Sequence, residues 1–237
     1  LLNKAPRMLA EERAPGPFFE RAESMTVLHV IYLLAIAAEA ASGALMGMRR
    51  RMDLFGLCVV GTVTALGGGS IRDVLLGHYP LGWVAHPEYL LFTVGASVAA
   101  ALLARRLHRL KTAFLLMDAL GLVAFTVIGC NIAATTDAHI AVVVLMGMIT
   151  GVFGGLLRDL LCNQVPLVLQ RDLYATVSLV TGILYVGMLH LDFSANVSTG
   201  VSILAGFSLR MIAIYFSLAL PVLEADISSF EDGDKQR

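Results

Sequence analysis

Charge is what this sequence has least of. Only 15% of its 237 residues are Asp, Glu, Lys or Arg, against about 25% in an ordinary soluble domain, so the chain cannot build a normally solvated surface. A disordered chain needs more charge and less apolar content still, and 57% of this one is hydrophobic. There is no basic excess: the formal net charge is -1, which argues against a nucleic-acid partner held by clustered Lys and Arg. The three cysteines, Cys58, Cys130 and Cys162, lie apart in apolar stretches without a CxxC and read as small apolar residues. Six scattered histidines show no metal-ligand spacing. No nucleophile and base set stands out, and Gly67-Gly68-Gly69-Ser70 lacks the Gly-Lys-Ser/Thr ending of a phosphate loop. These absences point away from an enzyme and call for no cofactor.

What remains is a membrane protein, and the long apolar runs locate its spans. A bilayer crossing needs roughly 20 mainly apolar residues. Uncharged windows at 54–71, 119–136, 138–157 and 173–191, with shorter ones elsewhere, predict seven helices at about 25–47, 54–77, 88–105, 113–134, 139–162, 172–190 and 197–220. The expected fold is all-α and polytopic. The loops and tail on one side carry Arg49, Arg50, Arg51, Arg105, Arg106, Arg109, Lys111, Arg171, Lys235 and Arg237, while loops 78–87, 135–138 and 191–196 carry no Lys or Arg. The positive-inside rule then puts the C-terminus in the cytoplasm and, with seven spans, the N-terminus outside. Tyr79, Trp83 and Tyr89 suit an interfacial aromatic belt. Residues 1–24 hold basic residues on the wrong side and no apolar signal core. They read as a disordered or non-native leader, vector-derived or misassigned, with an extracellular amphipathic piece as the alternative. Residues 224–237 read as an acidic cytoplasmic tail.

An internal repeat is hidden in the apolar pattern. A shift of 86 residues lays Thr64 to Asp73 (TALGGGSIRD) on Thr150 to Asp159 (TGVFGGLLRD), Gly43 on Gly129, Gly61 on Gly147 and Pro80 on Pro166. The repeat divides the chain into a first three-helix unit at 25–110, a second at 111–192 and an appended seventh helix at 193–223. Three helices per unit is odd, so the second unit enters the membrane reversed, as an inverted repeat. Glycine-interrupted helices at matching positions of such halves point to a transport site. Gly67, Gly68, Gly69, Gly154 and Gly155 lower helix propensity by about 1 kcal/mol each relative to Ala, which predicts a kink or short unwinding there. The stripe Gly147, Gly151, Gly155 and its counterpart Gly61, Ala65, Gly69 also fit plain helix packing.

Charges inside spans are costly and usually face a cavity or a partner. Here they are Glu39, Arg72, Asp73, Asp118, Arg158, Asp159 and Arg210. Adjacent residues on a helix point about 100° apart, so Arg72 and Asp73, and Arg158 and Asp159, are expected to find partners on other helices. By depth, Arg158 falls level with Asp118 and Glu39, and a pair there is expected; Arg72 has no equally clear partner. The alternative is Arg snorkelling to the headgroups, with Asp capping the next turn.

The two ordered motifs, with Arg51-Met52-Asp53-Leu54-Phe55-Gly56, Met117-Asp118-Ala119-Leu120-Gly121-Leu122 and Pro166-Leu167-Val168-Leu169, resemble the prokaryotic trimeric intracellular cation (TRIC) channel family over about residues 25–223. Its sequences are also catalogued as a "glycine transporter" domain family. The resemblance implies a homotrimer with a potassium-permeable pore in each protomer, bounded by bent second and fifth helices at Gly67 to Gly69 and Gly154 to Gly155, with Arg72 and Arg158 as basic pore residues. Gly67 corresponds to Phe153, which is expected to stiffen the second bend or to form an apolar constriction. The basic lipid-contact motif of the animal members is not evident. The leading expectation is an inner-membrane monovalent-cation channel, carrying K+ with Na+ as the alternative ion, in which Thr64, Ser70, Thr150 and released carbonyls replace hydration. The alternative is a secondary transporter of a small solute such as glycine; a scaffold with glycines for packing alone is a third.

Overall fold

The structure, a computed structural model, describes residues 25–104, 106, 109–169 and 173–218. The leader 1–24, the tail 224–237, Arg105 and Arg171 lie outside the described residues. Among the described residues there are eight α-helices, one 3-10 turn (Leu167–Leu169) and no strand: α1 (Met25–Arg49), α2 (Leu54–Leu76), α3 (Gly82–Ala85), α4 (Glu88–Ala104), α5 (Leu110–Ala134), α6 (Ile140–Leu161), α7 (Tyr174–His190) and α8 (Ala195–Tyr215). Five of them, α1, α2, α5, α6 and α8, are long and apolar enough to cross a membrane, while α4 and α7 are apolar but only 17 residues long. At about 1.5 Å per residue, 17 residues still reach roughly 26 Å, the short end of a bilayer crossing. The sequence expectation missed α3, a single turn in the loop taken to run from 78 to 87, and overran the last helix, which stops at Tyr215 rather than near 220.

Local chemistry sets the helix ends. Asp53 caps α2 by accepting from the Gly56 N–H at 2.8 Å, and Gly77 closes it in the left-handed conformation (φ 65) that glycine adopts without strain. Ser194 caps α8 through the Val197 N–H.

α1 and α5 form the centre of the bundle. α1 packs on α2, α4 and α5; α5 packs on α6, α7 and α8; α2 and α6 pack on each other. Ala35, Ile36 and Ala40 of α1 share an apolar cluster with Ala124, Phe125 and Ile128 of α5. Around this core Phe55, Leu91, Leu102, Ile183 and Leu204 stand exposed. In water so much apolar surface would be an aggregation hazard; against lipid tails it is the solvent face, and helix association rests on close packing and small residues.

Small residues sit where helices cross, and they repeat at the 86-residue offset. A Cβ on Gly43 would meet Thr64 Oγ1 and the Gly61 Cα, and one on Gly129 would meet the Thr150 hydroxyl and the Gly147 Cα. Likewise a Cβ on Gly61 would press on the Ala40 carbonyl, and one on Gly147 on that of Thr126. The α1–α2 and α5–α6 crossings are thus built alike.

Candidate functional site

The triple-glycine segment does not unwind. α2 runs as an α-helix through Gly67, Gly68 and Gly69, and α6 does so through Gly154 and Gly155, so of the expected kink or short unwinding it is the unwinding that is corrected. In hydrocarbon an unwound turn leaves amides and carbonyls unsatisfied at several kcal/mol each, more than the lost propensity of three glycines. The glycines serve close approach instead. A Cβ on Gly68 would strike the Thr150 carbonyl and one on Gly154 the Thr64 carbonyl, so α2 and α6 cross through reciprocal contacts of repeat-related residues. Gly67 lies against Leu157. Phe153 packs against two apolar clusters.

Each arm of this crossing ends in an ion pair. Arg72 donates from Nε and Nη2 to Asp73 Oδ1 at 2.9 and 2.6 Å, and Arg158 donates from Nε to Asp159 Oδ1 at 2.8 Å. Sequence neighbours therefore do satisfy each other, contrary to expectation, because the long Arg stem curls back over the 100° that separates the two Cβ vectors. All four residues are buried, and neither Arg snorkels. The second carboxylate oxygen is held by the following loop: Asp73 Oδ2 accepts from the Gly82 N–H at 3.3 Å and Asp159 Oδ2 from the Leu167 N–H at 2.9 Å.

The surroundings then diverge. Around Arg158 the expected partner is present: Nη1 donates to Asp118 Oδ1 at 2.5 Å and to Ser42 Oγ at 3.0 Å, and Ser42 donates in turn to Glu39 Oε2 at 3.2 Å. The Tyr174 hydroxyl donates to Asp118 at 3.2 Å, Phe114 stacks under the guanidinium at 4.7 Å, and Arg210 lies over the Tyr174 ring at 4.8 Å. Gly121 and Gly155 make the room, since a Cβ on either would collide with Glu39 or with the Tyr174 hydroxyl. Ser42, Phe114 and Tyr174 escaped sequence reasoning, which searched for charge; Ser42, one helical turn beyond Glu39, was the available signal.

At the Arg72 end the repeat positions that hold Asp118 and Glu39 are filled by Tyr32 and Phe125. Their rings pack edge to face at 6.1 Å, and the acids are gone. Among the described residues Arg72 has Asp73 as its one carboxylate partner, and it lines a cavity of about 20 Å³ with Tyr32, Ser70, Trp83, Phe125 and Thr150, room for a water molecule. Ser70 donates to the Leu66 carbonyl at 2.8 Å and accepts from Trp83 Nε1 at 3.1 Å. Thr64 and Thr150 both donate to the carbonyl one turn back, at 2.6 Å; their hydroxyls pack alike, Thr64 on Gly43 and Thr150 on Gly129, and Thr150 is also among the residues that line the cavity. At the Arg158 end a larger cavity of about 360 Å³ opens between Arg49, Lys111, Phe114, Asp159 and Gln164. Among the described residues no His, Cys, Asp or Glu group could hold a metal ion.

The family described as Glycine transporter matches residues 29–105 and 115–190, the two halves of the repeat. The UPF0126 inner membrane protein YadS of Escherichia coli is 37% identical over 197 residues, 82% of this chain and 95% of that protein. A UPF0126 membrane protein of Vibrio cholerae is 35% identical over 203 residues, 85% of each. Among solved structures, the TRIC trimeric intracellular cation channel orthologue from Rhodobacter sphaeroides matches with a TM-score of 0.78 at 33% identity, over 81% of this chain and 100% of that one. A structure described as explaining conductance through TRIC cation channels matches with a TM-score of 0.76 at 34% identity, over 84% and 98%. On these matches the chain belongs to the Glycine transporter family, with the UPF0126 membrane proteins as relatives and the TRIC channels as its structural likeness.

Proposed function

We propose that this protein is a monovalent-cation channel of the bacterial inner membrane, conducting K+ through a pore inside each protomer of a homotrimer. The observation that carries the reading is the pair of polar cavities on either side of the α2–α6 glycine crossing, one beside Arg72 and one beside Asp159, in a fold like that of solved cation channels. Seven of the eight helices are read as spans, arranged as a three-plus-three inverted repeat with α8 appended. The Lys and Arg distribution puts the Asp159 cavity on the cytoplasmic side and the Arg72 cavity outside.

On this reading the two arginines have different roles. Arg158, with Asp118 and Asp159 as direct partners, is a structural anchor that locks α5, α6 and α7 together. Arg72, balanced by one carboxylate and open to a water-sized space, is the gate or conductance-limiting charge. An ion passing it would meet the Ser70 hydroxyl, whose proton bonds the Leu66 carbonyl and whose oxygen, accepting once from Trp83 Nε1, keeps a second lone pair for the cation. Reconstitution with a potassium gradient tests this: step-like currents reversing at the potassium potential are expected, and saturable labelled-glycine uptake without such currents would replace the channel by a carrier.

A further inference from the structure

We propose that His78 is a proton-binding control on the Arg72 site, its charged form competing with Arg72 for the single carboxylate of Asp73 and reducing cation flow. The backbone places it there. Just after the α2 cap at Gly77, the His78 N–H donates to the Asp73 carbonyl at 2.8 Å, which sets the ring Nδ1 3.4 Å from Asp73 Oδ1. That oxygen is the one already accepting both bonds from Arg72, while Oδ2 is occupied by the Gly82 N–H. The His78 side chain is 49% exposed against 2% for Asp73, so a proton reaches the ring from water and is felt by a buried carboxylate. The other half of the repeat has the same closure without the titratable ring: Gln164 donates its N–H to the Asp159 carbonyl at 2.8 Å and turns its side-chain amide to the Asn163 carbonyl.

Among the described residues the other ionisable groups at this end are Arg72 and Asp73 on α2, His29 and Tyr32 on α1, Tyr79 beside His78, Tyr89 on α4, and His86 with Glu88, which face each other at 3.0 Å. With His78 neutral, Arg72 and Asp73 cancel. With it charged, two cations face one carboxylate, and the small cavity lined by Arg72, Asp73, Ser70 and Thr150 becomes net positive and repels a cation. Histidine is the side chain that changes charge between pH 5 and 8, so acid on that face of the membrane should lower the current. The inference rests on this cavity lying in the cation path.

The test records potassium currents from the purified protein in planar bilayers, with pH varied on one face at a time, alongside fluorescence of the sole tryptophan. Trp83 lines the same cavity and donates to Ser70 at 3.1 Å, so it reports the site whether or not ions flow. The wild-type current should fall about threefold or more from pH 8 to 5.5 on one face only, by loss of local cation concentration. The same acidification should change Trp83 emission. His78→Gln, which copies the other half of the repeat, should remove both responses, and His78→Lys should hold the current at its acid level throughout. A conducting wild type with no pH response, or a His78→Gln protein that responds like wild type in current or emission, overturns the proposal. A wild type silent at every pH whose Trp83 still follows His78 overturns the conduction reading and supports the proton site.

Discussion

Arg72 and Arg158 occupy one position of the repeat and live in opposite surroundings, and this contrast yields the residue-scale predictions. Replacing Arg158 by Met leaves Asp118 and Asp159 buried without their cation, a loss of about 3–5 kcal/mol for a broken buried pair. The variant should therefore unfold at a clearly lower temperature in detergent, as followed by circular dichroism; a wild-type melting curve would show that Arg158 anchors nothing. Replacing Arg72 by Gln strips a positive charge from the small cavity, and the unitary potassium current should rise; an unchanged current would remove Arg72 from the conduction path. The partnership of Arg158 with Asp118 was legible in the sequence, because depth along two apolar runs is countable. The Arg72–Asp73 and Arg158–Asp159 contacts were not, because an angle between Cβ vectors ignores how far a guanidinium reaches along its own helix. Tyr174 was invisible for another reason: nothing in a sequence marks a lone hydroxyl as the donor to a carboxylate 56 positions away.

At the scale of elements, the seven apolar segments were legible because a long uncharged run has few alternatives to a membrane helix. The four-residue α3 was not, since one turn carries no periodicity. The triple glycine suggested a short unwinding that does not occur, because intrinsic propensity is a weak prior beside the demand that backbone groups in hydrocarbon bond within the helix. Glycine here sets the distance between helices, and that can be checked. Gly68→Ala and Gly154→Ala put a methyl into a facing backbone carbonyl, which cannot swing aside as a side chain can, so both should lower thermal stability and the yield of folded protein. Gly95→Ala and Gly187→Ala meet nothing within 4 Å and should be neutral or slightly stabilising. Equal effects across the four variants would contradict a crossing held by glycine.

For the whole molecule, scarcity of charge first excluded a soluble protein and then became a map. Basic residues gather in certain loops, and five of the seven charges left inside the spans, Arg72, Asp73, Asp118, Arg158 and Asp159, form ion pairs at the ends of the two crossing helices. The helices cross through matched contacts at a constant offset, with one polar cavity at each end of the crossing, and the proposed channel requires ions to pass between them. The most direct measurement is single-channel recording of Ser70→Cys, in a Cys58→Ala background, under a potassium gradient while a charged methanethiosulfonate reagent is added. Currents that reverse at the potassium potential and then fall irreversibly as the thiol reacts are predicted. Currents that persist unaltered after mass spectrometry shows the introduced thiol fully modified would contradict a pore between α2 and α6.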